Sequence, residues 1–212
     1  YVYAGEGEVM EQRNWHRQTS VHNTVTLDNK NLETTESVTK LWQPEGNIQT
    51  LVTENPSYKN FKHRRSVFFV DNTYFVIVDE VSGSAKGSVN LHYQMPKGEI
   101  ANSREDMTFL TQFEDGSNMK LQCFGPEGMS MKKEPGWCST AYRKRYKRMN
   151  VSFNVKKDNE NAVRYITVIY PVKKSADAPK FDAKFKNKTF DENGLEIEVK
   201  VNGKKQSLKY KL

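Results

Sequence analysis

The chain is poor in cysteine, in long apolar runs and in helical periodicity, and each shortage closes off a class of protein. Only Cys123 and Cys138 occur among 212 residues, without a Cys-x-x-Cys spacing, so neither a zinc ribbon nor a dithiol redox centre is encoded. The two fall in different predicted strands, and both a disulfide formed in an oxidising compartment and a pair of free thiols fit. No apolar stretch approaches the roughly 20 residues of a membrane-spanning helix, and no charged-then-apolar signal segment opens the sequence. A capped stripe of 3.6-residue period is missing from every dozen-residue window, leaving little or no room for helix. RNP-like strands, zinc-finger spacings and a recognition helix are also lacking. The net charge of +7 and pI near 9.2 suit a polyanionic partner, nucleic acid or acidic glycan, or a soluble surface of dispersed lysines, and no recognised nucleic-acid module supports the first.

What the sequence does carry is alternation. The apolar fraction is 36% and mean hydropathy −0.82, yet 11% aromatics argue against disorder, and the combination suits broad sheets with one wet face. Period-two patterns mark about a dozen strands, among them Val21 to Leu27, Ser66 to Val70, Tyr74 to Val81, Ser88 to Gln94, Val163 to Val172 and Leu195 to Val201. Turn chemistry separates them, with Asn202-Gly203 the strongest hairpin signal. The expected fold is all-β, an antiparallel multi-sheet sandwich of the supersandwich kind. One domain spans residues 1–212, with the main sheets within 1–173 and a terminal strand group at 180–212, after the small polar stretch from Ser175 to Pro179.

Chemistry concentrates near the start. From Arg13 to Asp28 the chain runs Arg-Asn-Trp-His-Arg-Gln-Thr-Ser-Val-His-Asn-Thr-Val-Thr-Leu-Asp, cationic, aromatic and imidazole groups feeding a β-branched strand. It resembles the segment Arg-x-Trp-x-Arg-x-Thr-x-x-His-Asn-Thr-x-x-x-Asp of the heparinase II/III-like polysaccharide lyases. The likeness continues through His63-Arg64-Arg65-Ser66, through Tyr74 to Glu80, through Gly136-Trp137-Cys138-Ser139-Thr140-Ala141-Tyr142, and through Thr167-Val168-Ile169-Tyr170-Pro171. It covers about residues 1 to 173, and the cluster from Arg143 to Arg148 leans toward the heparan-sulfate lyase branch.

The resemblance implies a C-terminal β-sandwich that faces an N-terminal α/α toroid absent from this chain, with an acidic polysaccharide, heparin or heparan sulfate, in the cleft between them. The reaction is β-elimination: a base takes the C5 proton of a uronate, polar groups neutralise its carboxylate, and an acid protonates the departing oxygen. The family's acid and base lie on the toroid and on a preceding His-x-His strand, so no catalytic residue is assigned here, and the chain alone is expected to be inactive. The histidine of His-Asn-Thr, His22, resembles a metal ligand whose companions lie upstream, before the stretch matched by Tyr1-Val2-Tyr3. Zinc suits such a set better than calcium, with weak or no binding by this chain alone. The resemblance also implies a bacterial periplasmic or secreted enzyme.

From the residues themselves, Trp15, His16 and Arg17 form a loop before the strand, offering a stacking surface and a guanidinium to a sugar and its acidic groups. Packing of Trp15 into the core and an ion pair for Arg13 are the competing reading. Tyr142, Arg143 and Arg145 belong to a basic run with cations on both faces of any strand, which suits an edge or loop; sulfate binding and edge protection both explain it. Lysines at 184–188 and 204–205 read as solvated faces. A non-catalytic carbohydrate-binding module of a surface glycan-utilisation protein is the alternative function.

Overall fold

A computed structural model of the chain describes residues 7–33, 35–103, 105–141 and 144–212. Among them, helix α1 (Glu8–His16) precedes β1 (Val25–Leu27), β2 (Val38–Gln43), β3 (Ile48–Tyr58), β4 (Phe61–Val70), β5 (Tyr74–Ser82), β6 (Gly87–Gln94), β7 (Glu99–Ser103) and β8 (Thr108–Gln112). There follow β9 (Asn118–Phe124), β10 (Ser130–Ala141), β11 (Lys144–Lys157), β12 (Val163–Val172), β13 (Phe181–Phe185), β14 (Gly194–Val201) and β15 (Lys204–Lys211). The strands build three antiparallel sheets, ordered β1-β6-β11-β10, β2-β3-β4-β5-β12-β9-β8-β7 and β13-β14-β15.

The eight-stranded sheet is the middle layer, and its alternation decides what packs where. Val81 on β5 and Val163 and Tyr165 on β12 meet Leu91, Tyr93, Val151 and Phe153 of the four-stranded sheet in one core. Their neighbours Val76, Val78, Ile166 and Val168 point the other way and pack on Leu195, Ile197, Val199 and Leu208 of the three-stranded sheet in a second. Arginines clamp the second interface. Arg64 donates to the Asp191 and Glu192 carbonyls at 2.8 and 2.9 Å and pairs with Glu54, while Arg164 donates to Glu80 at 2.7 Å and to the Asn187 carbonyl at 2.9 Å. The β14–β15 hairpin closes where expected: Asn202 at φ 48° and Gly203 at φ 81° give the left-handed pair that a two-residue type I′ turn requires.

Several expectations need correction. The loop expected at Trp15, His16 and Arg17 is helical, with Trp15 and His16 ending α1 and Arg17 capping it. Glu8 and Glu11 sit in its first turn and Arg13 and His16 in its last, signs that complement the helix dipole without any apolar stripe. The strand expected from Val21 shrinks to β1, because Val21 and His22 donate to the Gln18 and Thr19 carbonyls and close a 3-10 turn over Thr19–Val21. Strands β7 and β13 were not expected, and β10, of which only the stretch around Cys138 was read as strand, extends back to Ser130. In β10 the run Lys132-Lys133-Glu134-Pro135-Gly136 has the composition of a turn, yet as a sheet edge it tolerates a proline. Cys123 and Cys138 are free thiols, the first buried.

Candidate functional site

The His-Asn-Thr segment is anchored from both sheets. On β4 and β5, Asp79 is fully buried and accepts from His63 Nε2 at 2.6 Å and from Arg65 Nε and Nη2 at 2.7 and 3.2 Å. Burial pushes the Asp79 carboxyl up, but the Arg65 charge and the His63 hydrogen bond outweigh it and hold its pKa down to about 2. Arg65 then spends Nη1 on the Asn23 carbonyl, 2.5 Å away. From the four-stranded sheet, the Gln94 amide N–H donates to Asn23 Oδ1 at 2.6 Å, and Gln94 Nε2 donates to the Ser20 carbonyl at 3.0 Å. The turn carrying His22 is thus gripped on both sides by charged or amide donors.

An open groove of about 750 Å³ lies beside this turn, lined by residues that include Asn14, Arg17, Gln18, His22, Thr24 and Asn31. Arg17 and His22 are exposed to it. His22 Nδ1 lies 2.8 Å from the Gln18 carbonyl oxygen, which can only accept, so Nδ1 carries the proton and the Nε2 lone pair is left free. Thr26 and His92 pair nearby, Oγ1 to Nε2 at 2.9 Å, and burial pushes His92 down to about 4.

The basic run forms the outer half of β11, not a loop. Lys144 to Arg148 pair with β10 alone, whereas β6 joins β11 only from Asn150 onward, so this part is a projecting two-stranded arm whose cations are wet on both faces. Arg145 lies 3.9 Å from the centroid of the Trp137 ring, and Lys147 reaches the same ring at 6.0 Å. Arg148 forms the root of the arm, donating to the Trp137 carbonyl, the Met95 carbonyl and Gln94 Oε1 at 2.7, 3.0 and 2.7 Å. Gln94 therefore joins the arm to the turn that carries His22.

His16 ends helix α1 within reach of the arm's charges. Burial, then the charges of Arg145 and Arg148, push its pKa down. Trp15 is half-buried and meets the His16 ring edge-on at 4.8 Å. Helix α1 buries none of its residues, so Trp15 is not a core side chain, and among the described residues Arg13 has no acidic partner. Tyr142 and Arg143 lie outside the described residues, as do Tyr1, Val2 and Tyr3. Trp137, Arg148, Gln94 and the Arg65–Asp79 pair were not singled out from sequence as site residues. Among the described residues no three of histidine, cysteine, aspartate and glutamate converge on a point that could hold a metal. No described helix is long and apolar enough to cross a membrane.

Three stacked antiparallel sheets, with a histidine turn and a basic arm on the outer layer, define a multi-layered β-sandwich domain. The chain belongs to the family described as Heparinase II/III-like, C-terminal, whose profile matches residues 1–184. It is 88% identical over 212 residues to a heparin-sulfate lyase of Bacteroides stercoris, covering all of this chain and 32% of that protein. Among solved structures, heparan sulfate lyase HepC from Pedobacter heparinus, in a mutant form, matches all of the chain and 33% of its own, with TM-score 0.91 and 32% identity. Heparinase III matches 95% of the chain and 31% of its own, with TM-score 0.90 and 30% identity. The chain thus spans about a third of the length of these relatives.

Proposed function

We propose that this domain is the C-terminal part of a bacterial enzyme that cleaves heparin or heparan sulfate by β-elimination, and that it forms one wall of the substrate cleft. One juxtaposition carries the reading: the groove that exposes Arg17 and His22 belongs to a turn tied through Gln94 to the root of the arm that displays Arg145 on Trp137. A guanidinium in the groove matches a uronate carboxylate, whose neutralisation eases removal of the C5 proton, and cations on the arm match sulfate esters. Trp15, His16, Arg17 and Arg145 are the described residues offered to the sugar. The acid and base come from polypeptide outside this chain. The lyases among its relatives favour this reading over a non-catalytic binding module.

His22 fits a metal site in the full-length protein, since its Nδ1 proton is already committed to Gln18 and Nε2 is the free donor. It would be one ligand of a set completed upstream, and an imidazole and carboxylate set suits zinc, which in a closed shell supplies structural rigidity. A sulfated polymer of this charge does not cross a bilayer, which supports action in the periplasm or outside the cell.

The test is full-length protein incubated with heparan sulfate. Unsaturated uronate products should form, Arg17→Ala should raise KM, and the 212-residue chain alone should give none. Absence of unsaturated product from the full-length protein would overturn the proposal.

A further inference from the structure

The outer face of the three-stranded sheet gathers more positive charge than its acids neutralise. Ala183, Ile197, Val199 and Leu208 turn inward to the second core, so their neighbours along each strand turn out. Register sets the outward residues in rows: Asp182, Lys200 and Lys205, then Lys184, Glu198 and Ser207. Glu196 stands beside Lys209 and Gly194 beside Lys211, while Lys186, just past β13, donates its amide N–H to the Glu196 carbonyl. Six lysines thus stand against three acids, and the two glutamates lie on the middle strand with lysines along both flanks.

Glu198 is the centre of this face. Its side chain is only 3% exposed, and Lys205, Lys186 and Lys184 bring their ammoniums to 2.5, 2.9 and 3.5 Å from its oxygens. The lysine stems cover the carboxylate while the three side chains stay 41 to 58% exposed themselves. Lys205 and Lys186 hold the Glu198 carboxyl down to about 2, so it remains charged at neutral pH. One carboxylate cannot neutralise three ammoniums, each of which has three donors to satisfy. Lys209 and Lys211 add charge to the same face without an acidic partner among the described residues. Lysines that merely solvate a surface spread apart, whereas here a buried acid draws three of them together.

We propose that this face is a second binding surface for the sulfated polysaccharide, remote from the groove beside His22. The identity of the polymer rests on the function proposed above; the anion-binding cluster rests on its own geometry. Ammoniums ordered in advance lose less freedom when sulfate and carboxylate groups arrive. Outward residues repeat about every 7 Å along a strand, and the two flanking strands stand about 10 Å apart, so the cations form parallel lines that suit a linear polyanion. An acidic protein is the poorer occupant, because none of the exposed large hydrophobic side chains lies on β13, β14 or β15 to anchor one. The middle sheet separates this face from the four-stranded sheet by two layer spacings, about 20 Å, so a tetrasaccharide in the groove does not reach it.

The test uses the full-length protein. With Lys184→Ala, Lys186→Ala and Lys205→Ala together it should elute from heparin resin at lower salt, and its KM for long heparan sulfate should rise about threefold or more. Turnover of a tetrasaccharide should stay unchanged, since the groove is untouched. Lys209→Ala with Lys211→Ala leaves Glu198 its three partners and should shift elution in the same direction, which separates binding from folding. Lys40→Ala, Lys86→Ala and Lys173→Ala remove three charges from exposed sites on separate elements, and this control should move elution far less. The inference fails if both face variants elute no earlier than the control, or if tetrasaccharide turnover falls along with that of the polymer. Retention needs no turnover: a full-length protein that forms no unsaturated uronate, yet loses retention with these lysines, would sink the lyase reading and leave this surface standing.

Discussion

Asp79 and Glu80 are chain neighbours on β5, both buried, both paired with an arginine, and they behave oppositely because they point to opposite faces of the middle sheet. Asp79, toward the four-stranded sheet, accepts from Arg65 and His63 and is held down to about 2. Glu80, toward the three-stranded sheet, is pushed up by burial even though the Arg164 and Arg64 charges oppose the shift. One face thus maintains a committed carboxylate that fixes the Asn23 turn through Arg65. The other buries a carboxylate whose charged form is disfavoured by its surroundings, in an interface clamped by Arg64 and Arg164. A buried ion pair is not one kind of object: its meaning depends on how many donors the carboxylate has and on what the arginine does with its remaining nitrogens.

Substitutions can break that comparison. The largest effect should come from Asp79→Ala, which strands Arg65 and buried His63 without their acceptor and should cost about 3–5 kcal/mol in chemical denaturation. Arg164→Met should cost less, about 1–3 kcal/mol, because Glu80 can take up a proton in place of its lost partner. Equal losses would mean that the two pairs are energetically alike. pH sharpens the contrast. Since the Asp79 pKa is depressed, its stabilisation is complete above the ordinary value of 3.8 and is lost as pH falls toward about 2. A raised Glu80 does the reverse, with stability declining as pH climbs through and above 4.5, so Glu80→Gln should flatten that decline.

His92 gives a smaller, separate signature. Its pKa is depressed to about 4, so stability should be full above 6.5 and fall as pH drops from 6.5 toward 4, and His92→Gln should remove that slope in pH-dependent melting. A slope unchanged by the substitution would assign it elsewhere. The smallest effect on stability should be that of Lys147→Ala, within about 0.5 kcal/mol, because the side chain is exposed on the projecting arm. Full-length protein carrying Lys147→Ala together with Arg145→Ala should nonetheless elute from heparin resin at lower salt. Unchanged elution would make the arm an edge guard and nothing more.

How far the sequence could be read depends on which signal each element carries. Val163–Val172 was legible to the residue because both of its faces are buried in different cores, and the Asn202-Gly203 turn because its backbone conformation demands that chemistry. Helix α1 was not, since a helix without a buried face has no periodicity to show. Of the two placements expected for the basic run, an edge or a loop, the structure has the edge. Cations on both faces exclude a strand buried on either side, yet they permit a two-stranded arm that overhangs its sheet. His22, Arg17, His16 and Trp15 were recognisable as a group from residue type and order. The groups that hold the turn around His22 come from far along the chain, Arg65 reaching Asn23 across 42 positions and Gln94 reaching Ser20 across 74, and such pairings cannot be read from local sequence.

The overhanging arm of β10 and β11 has one more consequence. Its root is bolted down by Arg148, while the residues beyond contribute to neither hydrophobic core. Substitutions along its described residues beyond Arg148 therefore leave both cores intact, and its charge pattern can change one residue at a time. Sequence differences among such domains should accumulate at that overhang, leaving the stacked layers behind it unchanged.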